Sequence, residues 1–216
     1  MSEVEKLILS KDFSYLHPLF YNHPLALRCE LETALKPSKL SVKHSYENAL
    51  KIFDILFPNG ADALFFDYYI FDYSVVNEEE KRDKTQIKTT VEHFESDIRF
   101  LSYYQNKYRH KVIRGLEKCE NFYEHLLSRN RVVCYADEIG FEYKKLIKML
   151  VSVDISYTKH KEVHFVSFQN ECILSIYDDM GCDIVFTTKE MYREFFDKLK
   201  AYLFDYDLEE MKKRYI

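Results

Sequence analysis

The chain has 216 residues, of which 47% are hydrophobic, 16% aromatic and 31% charged, and its 31 basic and 36 acidic side chains give a formal net charge of −5. That composition is globular and excludes collagen-like, disordered and disulfide-scaffold classes, and the acidic excess argues against a nucleic-acid partner, which needs a basic stripe. The four glycines, Gly60, Gly115, Gly140 and Gly181, are too far apart for a P-loop, a dinucleotide fingerprint or a nucleophile elbow, because such loops need several residues without Cβ atoms close together.

Residues Met1 to Ser10 carry charges of both signs without an apolar run, so no secretory signal is expected. No apolar stretch reaches the roughly 18 residues that span a bilayer, which makes a cytoplasmic protein with no membrane contact the expectation. The five cysteines, odd in number and irregularly spaced, read as reduced thiols. Neither they nor the eight histidines form a zinc-ligand spacing. No cofactor is implied.

A helix before the first strand opens the expected order. Leu25, Leu27, Cys29 and Leu31 then alternate with Ala26, Arg28 and Glu30, the period of a strand. Val42, Tyr46, Ala49, Leu50, Phe53, Leu56 and Phe57 fall at helical spacing, with Ser41 as N-cap and Pro58-Asn59-Gly60 as the stop. Ala63 to Phe71 reads as a strand buried on both faces. The mixed charge run Glu78 to Lys84 reads as a solvated loop. Beyond it, Ile87, Val91, Phe94, Ile98 and Leu101 form a helical seam, and Val112, Leu116, Cys119, Tyr123 and Leu126 a second, so about 78–128 is expected as a helical insertion.

Arg131 to Tyr135 resumes strand character, and Phe141 to Val151 is helical. Val163–Phe168, Cys172–Tyr177 and Cys182–Phe186 read as three consecutive strands, turning at Asn170 and at Asp178-Asp179-Met180-Gly181, where Gly181 would supply a positive φ. Thr187 and Glu190 form a capping box for a helix through Met191, Phe195, Leu199 and Tyr202. A last helix begins near Leu208. The order α-β-α-β-α-α-β-α-β-β-β-α predicts one α+β domain over 1–216, with a mixed or mostly antiparallel sheet and a C-terminal three-stranded meander.

Tyr177-Asp178-Asp179-Met180-Gly181-Cys182-Asp183, followed by Asp205-Tyr206-Asp207, resembles the C-terminal signature of a bacterial family, domain of unknown function 3885. Leu27-Arg28-Cys29-Glu30-Leu31 resembles its N-terminal pattern. Two departures stand out: Met180 replaces the usual arginine and Leu203 the usual tryptophan. The resemblance implies no established activity. Some relatives are similar to products encoded beside secreted toxins, which implies an immunity-like role with a basic toxin domain as partner.

The candidate site comprises Arg28, Glu30, Tyr177, Asp178, Asp179, Gly181, Asp183, Asp205 and Asp207. Asp178, Asp179 and Asp183 around one turn admit three readings. They can satisfy turn backbone, form a polar network or partner site, or bind a metal and supply a general base, as in a metal-assisted hydrolase assisted by Glu30. One turn seldom provides the six or more oxygens that Ca²⁺ takes. Arg28 either sits on an exposed strand face or pairs bidentately with Asp178 or Asp183. The leading expectation is a non-enzymatic role in binding another protein, since no catalytic motif is present and an acidic surface suits a basic partner.

Overall fold

The computed structural model describes residues 1–11, 13, 19–32, 39–71, 99–114, 116, 127–136, 140–152 and 163–216. Within them run α1 (Glu3–Leu9), α2 (Leu19–Asn22), β1 (Ala26–Glu30), α3 (Lys39–Leu56) and β2 (Ala63–Phe71). The helical residues 99–107, α4, follow. Then come β3 (His110–Ile113), β4 (Leu127–Tyr135), α5 (Tyr143–Leu150), β5 (Val163–Ser167), β6 (Cys172–Ile176), β7 (Gly181–Phe186), α6 (Lys189–Lys198), a 3-10 turn (Asp205–Asp207) and α7 (Leu208–Tyr215).

The strands form one seven-stranded sheet in the order β1-β7-β6-β5-β2-β4-β3, and every neighbouring pair is antiparallel. The expected α+β class and the β5-β6-β7 meander are both present. Side chains of residues paired directly across strands share a face. Arg28, Asp183, Ser175, His164 and Phe65 therefore lie on one face, joined two residues along by Asp67 and Arg131. The N-terminal segment covers it: α2 packs on β1 and β7, and Phe13 meets Phe65 edge-on at 6.2 Å. The opposite face is apolar and receives α3 and α5, with Phe53 against Phe165 at 5.1 Å and Tyr143 at 4.3 Å. Phe66 meets Tyr104 of α4 at 5.8 Å.

The outer edge of β1 is not bare. Glu30 N donates to Tyr202 O at 2.9 Å and Phe204 N to Arg28 O at 3.0 Å, around a bridge between Cys29 and Leu203. Residues 202–204 thus satisfy the groups that an edge strand leaves open. Leu203 is buried there.

Four expectations change. His110–Ile113 is a strand, not part of a second helix, because it pairs with β4, and β4 begins at Leu127, four residues ahead of the expected Arg131. The charge run at 78–84, the seam through Ile98 and the residues Cys119 to Leu126 lie outside the described residues. Ser41 is inside α3, which already begins at Lys39, and its carbonyl accepts from Ser45 Oγ at 2.9 Å. The cap of α6 is Thr188, whose hydroxyl accepts from Met191 N at 3.3 Å. Thr187 instead donates to Glu171 at 2.7 Å, so the capping box is displaced by one residue. Glu171, at φ 47°, makes the β5–β6 turn beside the expected Asn170. Its carboxylate also accepts from Glu3 N and Val4 N at 3.2 and 2.8 Å, closing the start of α1.

Candidate functional site

Alternation along β1 puts Arg28 on the covered face, directly opposite Asp183 on β7. The guanidinium forks onto that carboxylate, with Nε donating to Oδ1 at 2.9 Å and Nη2 to Oδ2 at 3.4 Å. Nη1 donates to Asp207 Oδ2 at 3.3 Å. Phe20 and Tyr21 of α2 pack over the guanidinium, their ring centroids 5.2 and 4.8 Å from Cζ. Phe20 N donates to Asp183 Oδ2 at 3.0 Å, and the Tyr21 hydroxyl donates to Asp207 Oδ1 at 3.1 Å. Side-chain exposure is 11% for Arg28, zero for Asp183 and 6% for Asp207.

Burial alone would lower the Arg28 pKa. The hydrogen bond and charge of Asp183, with Tyr177 and Asp207 adding, hold it above its usual value. The cation is thus permanently charged and satisfied by two carboxylates. Burial, then Asp183, also raises the Tyr177 phenol far above its ordinary range. Partial desolvation and the Asp207 carboxylate raise Tyr21.

The acidic hairpin divides its labour. Asp178 Oδ1 accepts from Met180 N at 2.7 Å and Gly181 N at 3.1 Å, an Asx-type turn. Asp179 is buried, and its carbonyl accepts from Ser45 Oγ at 2.6 Å. The Met180 carbonyl accepts from Leu31 N at 2.8 Å. Among the described residues the glycines at positive φ are Gly60 and Gly140, and the expected positive φ at Gly181 is not found. Its need for hydrogen at Cα comes instead from close approach: a Cβ there would lie 2.2 Å from Tyr177 Oη and 3.1 Å from Cys29 O.

Glu30 faces the rim. Burial, then the charges of Asp205 and Glu32, raise its pKa. It lines a cleft of about 270 Å³ with Glu32, His44, Asn48 and Leu203, where His44 Nδ1 lies 2.9 Å from Glu32. Asp205 is exposed. Of the nine candidates, then, Arg28, Asp183 and Asp207 meet directly, with Tyr177 beside them. Glu30 and Asp205 form an acidic rim, and Asp178 and Gly181 shape the turn. Among the described residues no three His, Cys, Asp or Glu side chains are grouped so as to hold a metal ion.

Sequence reasoning missed Phe20 and Tyr21, since a four-residue helix has no periodicity to read and Tyr21 is 186 residues from Asp207. It also missed a second pair. Arg131, with no exposed surface, donates to Asp67 at 2.7 and 2.9 Å and to the carbonyls of Ile8 and Phe13 at 3.2 and 3.4 Å.

The fold and site define an α+β protein whose antiparallel sheet carries buried arginine–carboxylate clamps under an N-terminal cover. No helix of the described residues is long and apolar enough to cross a membrane. The chain belongs to the family described as Domain of unknown function (DUF3885), whose model matches residues 6–207. No curated protein and no solved structure matches it.

Proposed function

We propose that the protein acts by binding a basic protein through the acidic, tyrosine-bearing surface around Asp205–Asp207. The observation that carries this reading is Tyr206, 84% exposed on a short turn whose next residue, Asp207, is held by Arg28 and Tyr21. An aromatic ring presented on a turn fixed from beneath costs little conformational freedom on binding, and tyrosine is enriched at interfaces. Tyr21, 55% exposed, shares that anchor, and Asp205, Glu30 and Glu32 add negative charge around it. Such a surface steers a positively charged partner.

An immunity-like role in the cytoplasm fits this chemistry, with a basic toxin domain as the partner. The metal-assisted hydrolase gains no comparable support: the Asp183 carboxylate is occupied by Arg28 and Phe20 N–H, and the Asp178 carboxylate by the turn. The test is calorimetric titration of the chain with the purified products of the genes that flank its own, any basic toxin-type domain first. Expected are micromolar or tighter binding that weakens with salt, and a loss of about tenfold or more in Tyr206→Ala. No heat at tens of micromolar, or full affinity in Tyr206→Ala, would overturn the reading.

A further inference from the structure

Cys29 and Cys182 stand directly opposite each other on β1 and β7. Leu31 N donates to Met180 O, and Phe186 N to Leu25 O, each at 2.8 Å. Hydrogen-bonded and non-bonded pairs alternate along an antiparallel ladder, so Cys29/Cys182, two residues in from the first of these, is a hydrogen-bonded pair. The Cα atoms of such a pair lie about 5.5 Å apart, within the span that a disulfide bridges. Both side chains point to the apolar face and are completely buried. The neighbouring Cys29 thiol and burial push the Cys182 thiol well above its ordinary pKa. A thiolate, the reactive form, is therefore scarce while the sheet is closed.

α6 packs over this face of β1 and β7, with Phe195 stacked on Phe186 at 5.4 Å, and the C-terminal segment closes the outer edge. Leu203 bridges Cys29 from the outer edge, flanked by the backbone bonds of Tyr202 and Phe204 to β1. Asp207, a few residues on, is tied to Arg28. Release of that segment would uncover the Cys29 side of the pair at the sheet edge.

We propose that Cys29 and Cys182 are a latent cross-strand dithiol, converted by a peroxide to a disulfide when the 202–207 segment lifts from β1, so that oxidation staples the edge strand to β7. In the first step one sulfur, as thiolate, attacks a peroxide oxygen. The O–O bond breaks, the departing hydroxide takes a proton and leaves as water, and the sulfur becomes a sulfenic acid. The second sulfur then attacks the first, and its proton departs with the displaced hydroxide as a second water. Two thiols lose two electrons and the peroxide gains them. This device is independent of the partner-binding reading.

The test exposes the purified full-length chain to hydrogen peroxide under native conditions, quenches by alkylation and maps peptides by mass spectrometry. A Cys29–Cys182 crosslink with loss of about 2 Da is expected, together with a raised melting temperature, because the bond closes a long loop. Asp207→Asn, which loosens the cover, should crosslink several-fold faster. Cys29→Ser should abolish the mass loss, and Cys182→Ala serves the same purpose if serine is not tolerated at position 29. Oxidation only at other cysteines, sulfinic products in place of the crosslink, or an unchanged rate in Asp207→Asn would overturn the proposal.

Discussion

Substituting Arg28→Ala strands two carboxylates at once. Asp183 has no exposed surface and Asp207 only 6%, so water cannot take over the role of the guanidinium. Removing one partner of a buried ion pair costs about 3–5 kcal/mol. The Phe20 N–H that still reaches Asp183 moderates the loss, whereas the lost stacking on Phe20 and Tyr21 deepens it. For a chain of this length 1 kcal/mol corresponds to about 2–4 °C, so the melting temperature should fall by roughly 6–20 °C. Urea unfolding at pH 7, followed by circular dichroism, measures the free energy directly. A double variant, Arg28→Met with Asp183→Leu, removes both charges and should recover much of the loss, as replacing buried ion pairs by apolar residues often does. A cost below about 1 kcal/mol for Arg28→Ala, or a double variant no better than the single, would refute the view that Arg28 compensates a buried charge.

Gly181→Ala should cost about 1–3 kcal/mol by overpacking against Tyr177, and less in a Tyr177→Leu background; the same urea midpoint shift in both backgrounds would dismiss the clash. Arg131→Met leaves Asp67 buried without its cation and should cost about 3–5 kcal/mol. Because Arg131 also holds the carbonyls of Ile8 and Phe13, amide exchange in α1 should accelerate beyond the global effect, and unchanged relative protection there would argue against the anchor. The raised Glu30 carboxyl favours the folded state below the carboxylate range, and that contribution is lost as pH rises through it. Glu30→Gln should therefore melt slightly higher than the parent at pH 7, with the difference vanishing near about pH 4. A lower melting temperature at pH 7 contradicts that sign.

The elements legible in the sequence were those whose signal is local. The alternation through Leu25 to Leu31, the breaker Pro58-Asn59-Gly60 and the strand spacing of the last three strands correspond to β1, the end of α3 and the meander. β3 was illegible because Val112 and Leu116 fit a helical period as well as any strand, and the partner that decides the matter, β4, begins at Leu127. The cap of α6 slipped by one because two threonines adjoin, and the backbone of Glu171 and its carboxylate draw Thr187 away. The site shows the same division. Alternation placed Arg28 and Glu30 on one strand face, but not what covers that face. The cover comes from Tyr21 on one side and Asp207 on the other, and no spacing along the chain encodes their meeting.

The two arginine–aspartate pairs have a further consequence for how the strands find their alignment. Much of the sheet is apolar on both faces: Leu64-Phe65-Phe66 on β2 and Val132-Val133 on β4 would look almost the same to the core if one strand slid by a residue. Such a slip moves every side chain to the opposite face. Hydrophobic burial alone therefore discriminates poorly against it. The charges discriminate well, because Arg28 opposite Asp183 and Asp67 opposite Arg131 meet only in the native alignment. Shifted by one, each arginine would enter the apolar layer while its aspartate stayed behind, at a cost of several kcal/mol per unpaired charge. One pair locks the β1–β7 ladder and the other the β2–β4 ladder, so misaligned forms are penalised in both halves of the sheet.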